Sequence, residues 1–215
     1  MIQKRRSKFG DLTKDPEHLI LSIATTISDA LTVLLDLRSE KPTIIKKPLI
    51  QAIEVLHELE QKIACRARII SSQKVKGLYV ILDPEVTNGR PVLEIANLVL
   101  EGGANLIQLR DKLNDKSEVL NTAHCLKEMC RNHGASFIAN DSANLAFASD
   151  ADFLHVGQTD LPVSEARKIL KPTQAIGRSN NGIEECLESQ SQGADYLAIG
   201  AIFPTTTMGK SGRVA

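Results

Sequence analysis

The amino-acid sequence predicts an α/β protein in which a pair of helices precedes a parallel β-sheet. Two observations indicate this fold class. From about Lys76 onward, short apolar segments alternate with helical segments, as is typical of parallel strands joined by right-handed helical crossovers. Before that point, two longer amphipathic segments flank a break that contains Pro42 and Pro48. We therefore expect an N-terminal helical extension over residues 1–72 and an α/β domain over residues 73–215.

The N-terminal extension carries the periodicity of two helices. The first is expected from residue 16 to about residue 38, because Asp15 suits the N-cap and Pro16 suits the first helical position. Its apolar residues recur at steps of three and four: Ile20, Ile23, Ile27, Leu31 and Leu34. The second is expected from about residue 49 to residue 66. Because a helical hairpin needs packing against another surface, we expect it to cover the α/β domain or to form a homo-oligomer.

The α/β segment contains six strand candidates. Each is short and apolar, and most follow a helical segment that ends at glycine, a residue suited to the left-handed conformation after a helix. They start at Gly77, Asn105, Ser136, Asp152, Gln174 and Asp195. A closed barrel needs eight strands, so these predict either an open sheet or an incomplete barrel. In both arrangements, ligands bind at the carboxyl ends of the strands.

Composition argues against several classes of partner. The formal net charge is zero, with 26 basic and 26 acidic side chains, so no bulk positive field favours nucleic acid. The apolar stretch from Leu19 to Leu37 includes Asp29 and Asp36, which a membrane span or signal peptide would not normally carry. The four cysteines lack metal-ligand spacing and indicate reduced thiols. We expect a cytoplasmic protein without nucleic-acid or membrane partners.

The second strand candidate ends in a group of polar residues. Gln108 and Arg110 alternate along the strand, so they share one face, and Lys112 follows two residues later. A guanidinium can grip a phosphate with two hydrogen bonds, while an ammonium acts as a point charge. The pattern indicates an anion-binding site, although solvated charges at a strand end explain it equally well.

The later strand ends supply carboxylates and hydroxyls. Asn140 and Asp141 follow the third strand and Asp160 follows the fourth. Two carboxylates at neighbouring strand ends suit Mg²⁺, which binds one or two carboxylates together with phosphate oxygens; each aspartate also suits a helix N-cap. The hydroxyls of Ser179 and of residues 205–207, a run of three threonines, suit a phosphate or a polar turn.

Taken together, these motifs resemble those of thiamine-phosphate synthases. The shared order is Gln-x-Arg-x-Lys, Asn-Asp, Gly-Gln-x-Asp, Gly-x-Ser and Phe-Pro-Thr-x-Thr, over about Gly77 to Ala215. The resemblance implies a (β/α)8 barrel of the TIM type, here with about six of its eight strands and incomplete after strand six. It implies a transferase of thiamine biosynthesis that joins hydroxymethylpyrimidine diphosphate to a thiazole phosphate, yielding thiamine monophosphate and pyrophosphate.

The resemblance also implies roles for individual residues. Asp141 and Asp160 would bind Mg²⁺, and Arg110, Lys112 and Ser179 would act on the departing diphosphate. The residues that would bind the two substrates are Gln108, Arg110, Lys112, Asn140 and Ser179 for the pyrimidine diphosphate, and Thr205, Thr206 and Thr207 for the thiazole phosphate.

One departure from the family pattern keeps alternatives open. Met208 stands where the family usually has a lysine that contacts the diphosphate, and Lys210 lies two residues farther on. A non-synthase relative on the same barrel, such as a thiazole tautomerase or a regulatory paralogue, is therefore an alternative, as is an inactive fragment. The paired carboxylates and the cationic residues favour the synthase.

Overall fold

The N-terminal part of the chain consists of two long helices. The structure, a computed structural model, describes residues 16–40 and 47–203. Helix α1 spans Pro16–Glu40 and helix α2 spans Lys47–Ser72, so both predicted helices are present and run past their expected ends. Asp15, the expected N-cap, lies outside the described residues. The chain divides into two compact units, the first ending at Ile70 and the second beginning at Ser71.

The expected apolar stripe of α1 is shifted at one position. Ala24, Ile27 and Leu31 are buried, whereas Ile23 is exposed. The buried residues still follow steps of three and four along the helix, as an amphipathic helix requires. Within the described residues, no helix is both long enough and apolar enough to cross a membrane.

Over its described residues, 71–203, the second unit is a parallel α/β structure with six strands hydrogen-bonded in chain order. All six predicted strands are present, each within two residues of its expected start. The sheet curls into a half-barrel with helices on one side, which confirms the predicted fold class. Its elements are β1 (Tyr79–Leu82), a 3₁₀ turn (Pro84–Val86), α3 (Val92–Glu101), β2 (Leu106–Leu109), α4 (Lys116–Asn132), β3 (Ser136–Asn140), α5 (Ala143–Ala148), β4 (Phe153–Val156), α6 (Val163–Ile169), β5 (Ala175–Asn180), α7 (Ile183–Ser191) and β6 (Tyr196–Ile199).

Left-handed residues end the helices as the glycine pattern predicts. Gly103, Gly134 and Gly193 have positive φ, each two residues after a helix. Asp150 takes the same conformation after α5, with φ of 54°. Asp and Asn tolerate this region better than most residues with a Cβ, so one side chain replaces the glycine there.

The sheet buries one apolar cluster on each face. On the outer face, alternate strand residues such as Ile107, Phe137 and Leu154 pack with the helices. The inner face carries a smaller cluster, which consists of Leu106, Ile138, Phe153 and Ala175. Because side chains alternate along a strand, residues two or four positions after these four also point inward. The inward residues next in line are Gln108, Asn140, His155 and Ser179.

Acidic or amide side chains join neighbouring strands at their amino ends. Asn105, Asp152 and Asp195 each directly precede a strand and accept a backbone N–H from the strand before it, at or next to that strand's start. The donors are the N–H groups of Leu78, Phe137 and Ile176, at 3.0, 2.9 and 2.8 Å. Lys127 and Arg167 pair with the two aspartates. These contacts hold the strand register at the end opposite the polar strand ends.

Substitution of Asp152 tests whether these side-chain contacts between strands stabilise the fold. Asp152→Ala should lower the free energy of unfolding by about 2 kcal/mol, because the buried Phe137 N–H loses its acceptor. Urea denaturation measures the change. Glu128→Ala is the control, since this exposed carboxylate pairs with Arg131 on the surface of α4 and its loss should cost less than about 1 kcal/mol. Equal decreases in the free energy of unfolding of the two variants would contradict a stabilising contact between strands at Asp152.

Candidate active site

Two amides meet at the carboxyl ends of β2 and β3. Gln108 is almost fully buried, and its Nε2 donates a hydrogen bond of 2.9 Å to Oδ1 of Asn140. Both side chains lie directly above the inner apolar cluster, since Leu106 and Ile138 precede them by two residues. The structure therefore brings together two of the residues that the sequence assigned to one substrate.

Two carboxylates also meet at this edge of the sheet. Asp141 follows β3 with a positive φ of 62°, and its N–H donates to the His155 carbonyl at 2.8 Å. Asp160 lies in the turn after β4, where its Oδ2 accepts the Gly157 N–H at 2.6 Å. The Asp160 carboxylate is close enough to share a hydrogen bond with the Asp141 carboxyl group. The backbone thus directs two acidic side chains from neighbouring strands at each other.

The environment of Asp141 raises the pKa of its carboxyl group. Burial is the main cause, and the hydrogen bond and negative charge of Asp160 add to it. Lys112 acts in the opposite direction, with its Nζ 3.4 Å from Asp141 Oδ2. A carboxyl group that resists ionisation beside another carboxylate is a site where a further positive charge is stabilising.

Neither aspartate is a helix N-cap, which was the structural alternative. Ser142 caps α5, with its hydroxyl accepting the Leu145 N–H at 3.2 Å. Helix α6 has Pro162 at its N-cap position and no side-chain cap. Asp160 instead holds the turn after β4, and its second oxygen is not needed for that contact.

Arg110 does not join the carboxylate pair. Its guanidinium forms an ion pair with Asp83 and lies 3.8 Å from Glu85, both on the segment that follows β1. Asp83 also accepts the Glu85 N–H at 3.0 Å and caps the 3₁₀ turn. The sequence predicts Arg110 and Lys112 in one anion-binding site. The structure puts Lys112 beside Asp141 and pairs Arg110 with Asp83 on the segment that follows β1.

A histidine that the sequence analysis missed contacts Ser179. His155 points inward from β4, with Nε2 at 2.8 Å from Ser179 Oγ and Nδ1 at 2.9 Å from the Tyr196 hydroxyl. The Tyr196 hydroxyl lies 3.5 Å from that of Tyr79. Burial lowers the pKa of His155 to about 4, and the charge of Asp160 opposes this shift. A histidine inside an otherwise apolar strand, Phe-Leu-His-Val, was the available signal.

Gly177 allows Tyr196 to reach His155. The Tyr196 ring lies against β5 so closely that a Cβ on Gly177 would be 1.9 Å from Tyr196 Cζ. Gly177 pairs with His155 on one side and with Tyr196 on the other. The tyrosine ring therefore spans an intervening strand, and any side chain at residue 177 would block it.

The donor set for a cation is small. Across residues 16–40 and 47–203, there is no cluster of three or more His, Cys, Asp or Glu side chains suited to a metal ion. A cation at this edge would therefore take two protein carboxylates, those of Asp141 and Asp160. Thr205, Thr206, Thr207, Met208 and Lys210 lie outside the described residues.

Comparison with known proteins identifies the family. The family model described as thiamine monophosphate synthase matches residues 78–214. The chain belongs to the thiamine monophosphate synthase family. The similarity includes the thiamine-phosphate synthase of Shouchella clausii, which is 45% identical over 130 residues, covering 60% of this chain and 62% of that protein. The thiamine-phosphate synthase of Moorella thermoacetica is 42% identical over 135 residues, covering 63% and 64%.

A solved structure of the same family shares the fold. The thiamine phosphate pyrophosphorylase of Pyrococcus furiosus is 38% identical and superposes with a TM-score of 0.58, covering 62% of this chain and 64% of that one. The match to each of these relatives spans a little under two thirds of the relative's own length. All the described residues at the carboxyl ends of the strands fall within the region matched by the thiamine monophosphate synthase family model.

The buried histidine predicts how stability depends on pH. The pKa of His155 is about 4 in the folded protein, against 6.5 ordinarily, so the unfolded chain takes up a proton at higher pH. The stability that the protein owes to a neutral His155 is present in full above pH 6.5 and is lost as the pH falls towards 4. The free energy of unfolding should decrease by about 3 kcal/mol over this range. Urea unfolding across this range should show the loss.

His155→Gln should remove most of that pH dependence, because an amide does not titrate. His124→Gln is the control, since the His124 side chain is exposed on α4 and should leave the slope unchanged. If the pH dependence of stability persisted in His155→Gln and disappeared in His124→Gln, the assignment to His155 would be contradicted.

Proposed function

We propose that this protein catalyses the thiamine-phosphate synthase reaction. It would join hydroxymethylpyrimidine diphosphate to a thiazole phosphate and release thiamine monophosphate and pyrophosphate. Family membership supports the reaction class. The observation that carries the proposal is the pairing of Asp141 with Asp160 beside Lys112, because it combines a cation site and an anion-binding charge at one edge of the sheet.

The carboxylate pair suits Mg²⁺. Burial, together with the neighbouring charge of Asp160, disfavours ionisation of Asp141, and the raised pKa of its carboxyl group reflects this cost. A divalent cation held by both would remove it, and Mg²⁺ commonly binds through one or two carboxylates and takes its other ligands from phosphate and water. When bound, the ion would neutralise charge on a diphosphate. Asp141 and Asp160 are the residues that we propose to hold it.

The neighbouring side chains suit the diphosphate itself. Lys112 lies beside Asp141 with a half-exposed side chain, so its ammonium group can turn to an incoming anion. Arg110 lies two residues earlier, and we propose that it exchanges its pair with Asp83 for a diphosphate oxygen. Gln108, Asn140 and Ser179 offer amide and hydroxyl groups on the same inward face. The three threonines, Thr205 to Thr207, remain the proposed thiazole phosphate site.

The proposed reaction places its charge changes near these groups. The bond between the pyrimidine methylene carbon and the diphosphate oxygen breaks, and pyrophosphate leaves with the bonding electrons. A ring nitrogen of the thiazole then forms the new carbon–nitrogen bond. Cationic side chains that stabilise the departing charge lower the barrier, and a pocket that aligns the two substrates lowers it further. Arg110, Lys112 and Ser179 are the residues that we propose for the first task.

The cellular setting is part of the same proposal. All four cysteines are free thiols, which supports a reducing compartment such as the cytoplasm. We further propose that helices α1 and α2 mediate a homo-oligomer, since each is long and carries exposed apolar side chains such as Val33 and Val55.

The metal role predicts the effect of neutralising either carboxylate. Asp141→Asn and Asp160→Asn should each lower the rate of pyrophosphate release by about 100-fold or more and weaken Mg²⁺-dependent binding of pyrophosphate. Asparagine is the right replacement at residue 141, because it tolerates the positive φ there. A coupled pyrophosphate assay and isothermal calorimetry provide the two measurements.

Asp150→Asn is the matched control. Asp150 has a similar positive φ of 54° but pairs with Lys171 away from the carboxylate pair. It should leave both measurements unchanged. Calorimetry measures the binding of pyrophosphate and therefore gives a result even if turnover is slow. Undiminished turnover in Asp141→Asn, or turnover that survives EDTA, would contradict the metal role.

The anion role predicts a separate effect at Arg110. Arg110→Met should weaken binding of Mg²⁺–pyrophosphate by about 10-fold or more, because a charged hydrogen bond is worth about 1.5–3 kcal/mol. Arg131→Met, on the exposed surface of α4, is the control and should bind with unchanged affinity. Equal affinities in the two variants would mean that Arg110 serves only its pair with Asp83.

A further inference from the structure

We propose that His155 and Tyr196 are positioning residues that orient the hydroxyl group of Ser179. In this arrangement His155 Nε2–H donates to Ser179 Oγ, and the Ser179 proton is directed away from the histidine and towards a bound anionic oxygen. The identity of that oxygen, as part of a diphosphate, rests on the proposed function. The direction of the hydrogen bonds is a separate property of the protein.

The geometry engages both nitrogens of the imidazole. Nε2 lies 2.8 Å from Ser179 Oγ and Nδ1 lies 2.9 Å from the Tyr196 hydroxyl, distances typical of full hydrogen bonds. The ring is therefore held at two points, by β5 through Ser179 and by β6 through Tyr196. Ser179 in turn has one of its hydrogen-bonding directions fixed by the histidine.

The chemistry of an anion determines which way the bonds run. A phosphate oxygen has lone pairs and no proton, so Ser179 must donate to it. A hydroxyl group has one proton, so Ser179 Oγ must then accept from His155 Nε2–H. In the opposite tautomer, Ser179 would donate to His155 Nε2 and would present only lone pairs to the anion. The tautomer with the proton on Nε2 therefore lets Ser179 donate to the anion. In the tautomer with the proton on Nδ1, the lone pairs of Ser179 Oγ repel the anion.

In the proposed arrangement, Tyr196 selects the productive tautomer by donating to His155 Nδ1. Burial raises the pKa of Tyr196 well above its usual value and raises that of Tyr79 to about 12, so both hydroxyl groups keep their protons. If Tyr79 donates to the Tyr196 oxygen, the Tyr196 proton is free to donate to His155 Nδ1. That leaves the imidazole proton on Nε2. All the bonds then run in one direction, an arrangement in which each hydrogen bond polarises the next.

The local structure is shaped around this contact. The Tyr196 ring spans β5 only because residue 177 is glycine, where a Cβ would lie 1.9 Å from the ring. Phe153 packs edge-on against the same ring, with centroids 5.8 Å apart and planes at 83°. The position of the Tyr196 ring thus depends on the space left by Gly177 on β5 and on the contact with Phe153 on β4. These constraints hold its hydroxyl at His155.

Imidazole nitrogen NMR tests the direction of the bonds without any turnover. In the ¹⁵N-labelled full chain at neutral pH, the signals of His155 are assigned by their absence in His155→Gln. We expect the proton on Nε2 and an unprotonated Nδ1, both in the free protein and with Mg²⁺–pyrophosphate. In Tyr196→Phe, which removes only the hydroxyl, the preference for Nε2–H should weaken. A proton on Nδ1 alone in the unsubstituted protein would overturn the proposal.

Two replacements of His155 separate its contacts. A glutamine amide reaches about as far as Nε2 and can donate to Ser179, whereas an asparagine amide reaches only about as far as Nδ1. His155→Gln should therefore retain most of the kcat, while His155→Asn should lower kcat by about 10-fold or more with the KM for the thiazole phosphate unchanged. Equal kcat values in the two variants, or rescue by asparagine instead, would overturn the proposal.

A double-mutant cycle shows whether His155 acts through Ser179. If it does, Ser179→Ala and His155→Asn should lower kcat by similar factors, and the double variant should be no worse than Ser179→Ala. Multiplicative losses would contradict the proposal. Ser149→Ala controls for lost stability, because it removes a buried hydroxyl group that donates to the Leu145 carbonyl at 2.7 Å on α5. It should leave kcat unchanged.

Failure of the proposed function would be recognisable separately. A chain that neither binds Mg²⁺–pyrophosphate nor releases pyrophosphate from the substrates would contradict the synthase assignment. The NMR result would still report the tautomer of His155. Normal turnover combined with an Nδ1–H tautomer would retain the synthase assignment and eliminate the positioning role.

Discussion

The placement of two carboxyl groups side by side in a partly buried position is the constraint on which the rest of the site depends. Asp141 and Asp160 come from neighbouring strand ends, and burial, together with their proximity, raises the pKa of Asp141. A fold gains no stability from such a pair, since like charges in a partly buried place oppose folding. The backbone nevertheless enforces it, through the left-handed conformation of Asp141 and the Gly157 N–H that holds Asp160. A cation would turn this cost into binding free energy, and Lys112 supplies part of that charge.

The half-barrel makes this proximity possible by stacking its inward side chains in layers. An apolar layer of Leu106, Ile138, Phe153 and Ala175 fills the lower part of the inner face. Polar inward side chains follow on the same strands towards their carboxyl ends, and these include Gln108, Asn140 and His155. The strand register sets Ile138, Phe153 and Ala175 side by side and Asn140 beside His155. Strand β2 is offset by two residues, so that Gln108 pairs with Ile138 and can still reach Asn140. At the opposite end of the sheet, the side chains of Asn105, Asp152 and Asp195 hold the register by accepting backbone N–H groups of neighbouring strands.

The sequence predicted those features that depend on neighbouring residues. Helical periodicity and apolar runs gave all six strands, and the alternation of Gln108 and Arg110 gave an inward-facing amide. The partner of Arg110 could not be predicted in this way, because Asp83 lies 27 residues earlier, on the segment that follows β1, and pairs with the guanidinium. Also missed was the pair of His155 and Tyr196, which are 41 residues apart and meet only because Gly177 lacks a side chain. Contacts of this kind depend on packing across strands, which leaves no periodic signal.

The central claim is that the polar strand ends converge on one cation site. Paramagnetic broadening by Mn²⁺, added in place of Mg²⁺ together with pyrophosphate, locates that site directly in the full chain. The account predicts strong broadening of the backbone amide signals of Asp141 and Asp160, with the signals of Asp152 and Asp195 at the other end of the sheet remaining sharp. Sharp signals at residues 141 and 160, or broadening centred at the amino ends of the strands, would contradict it.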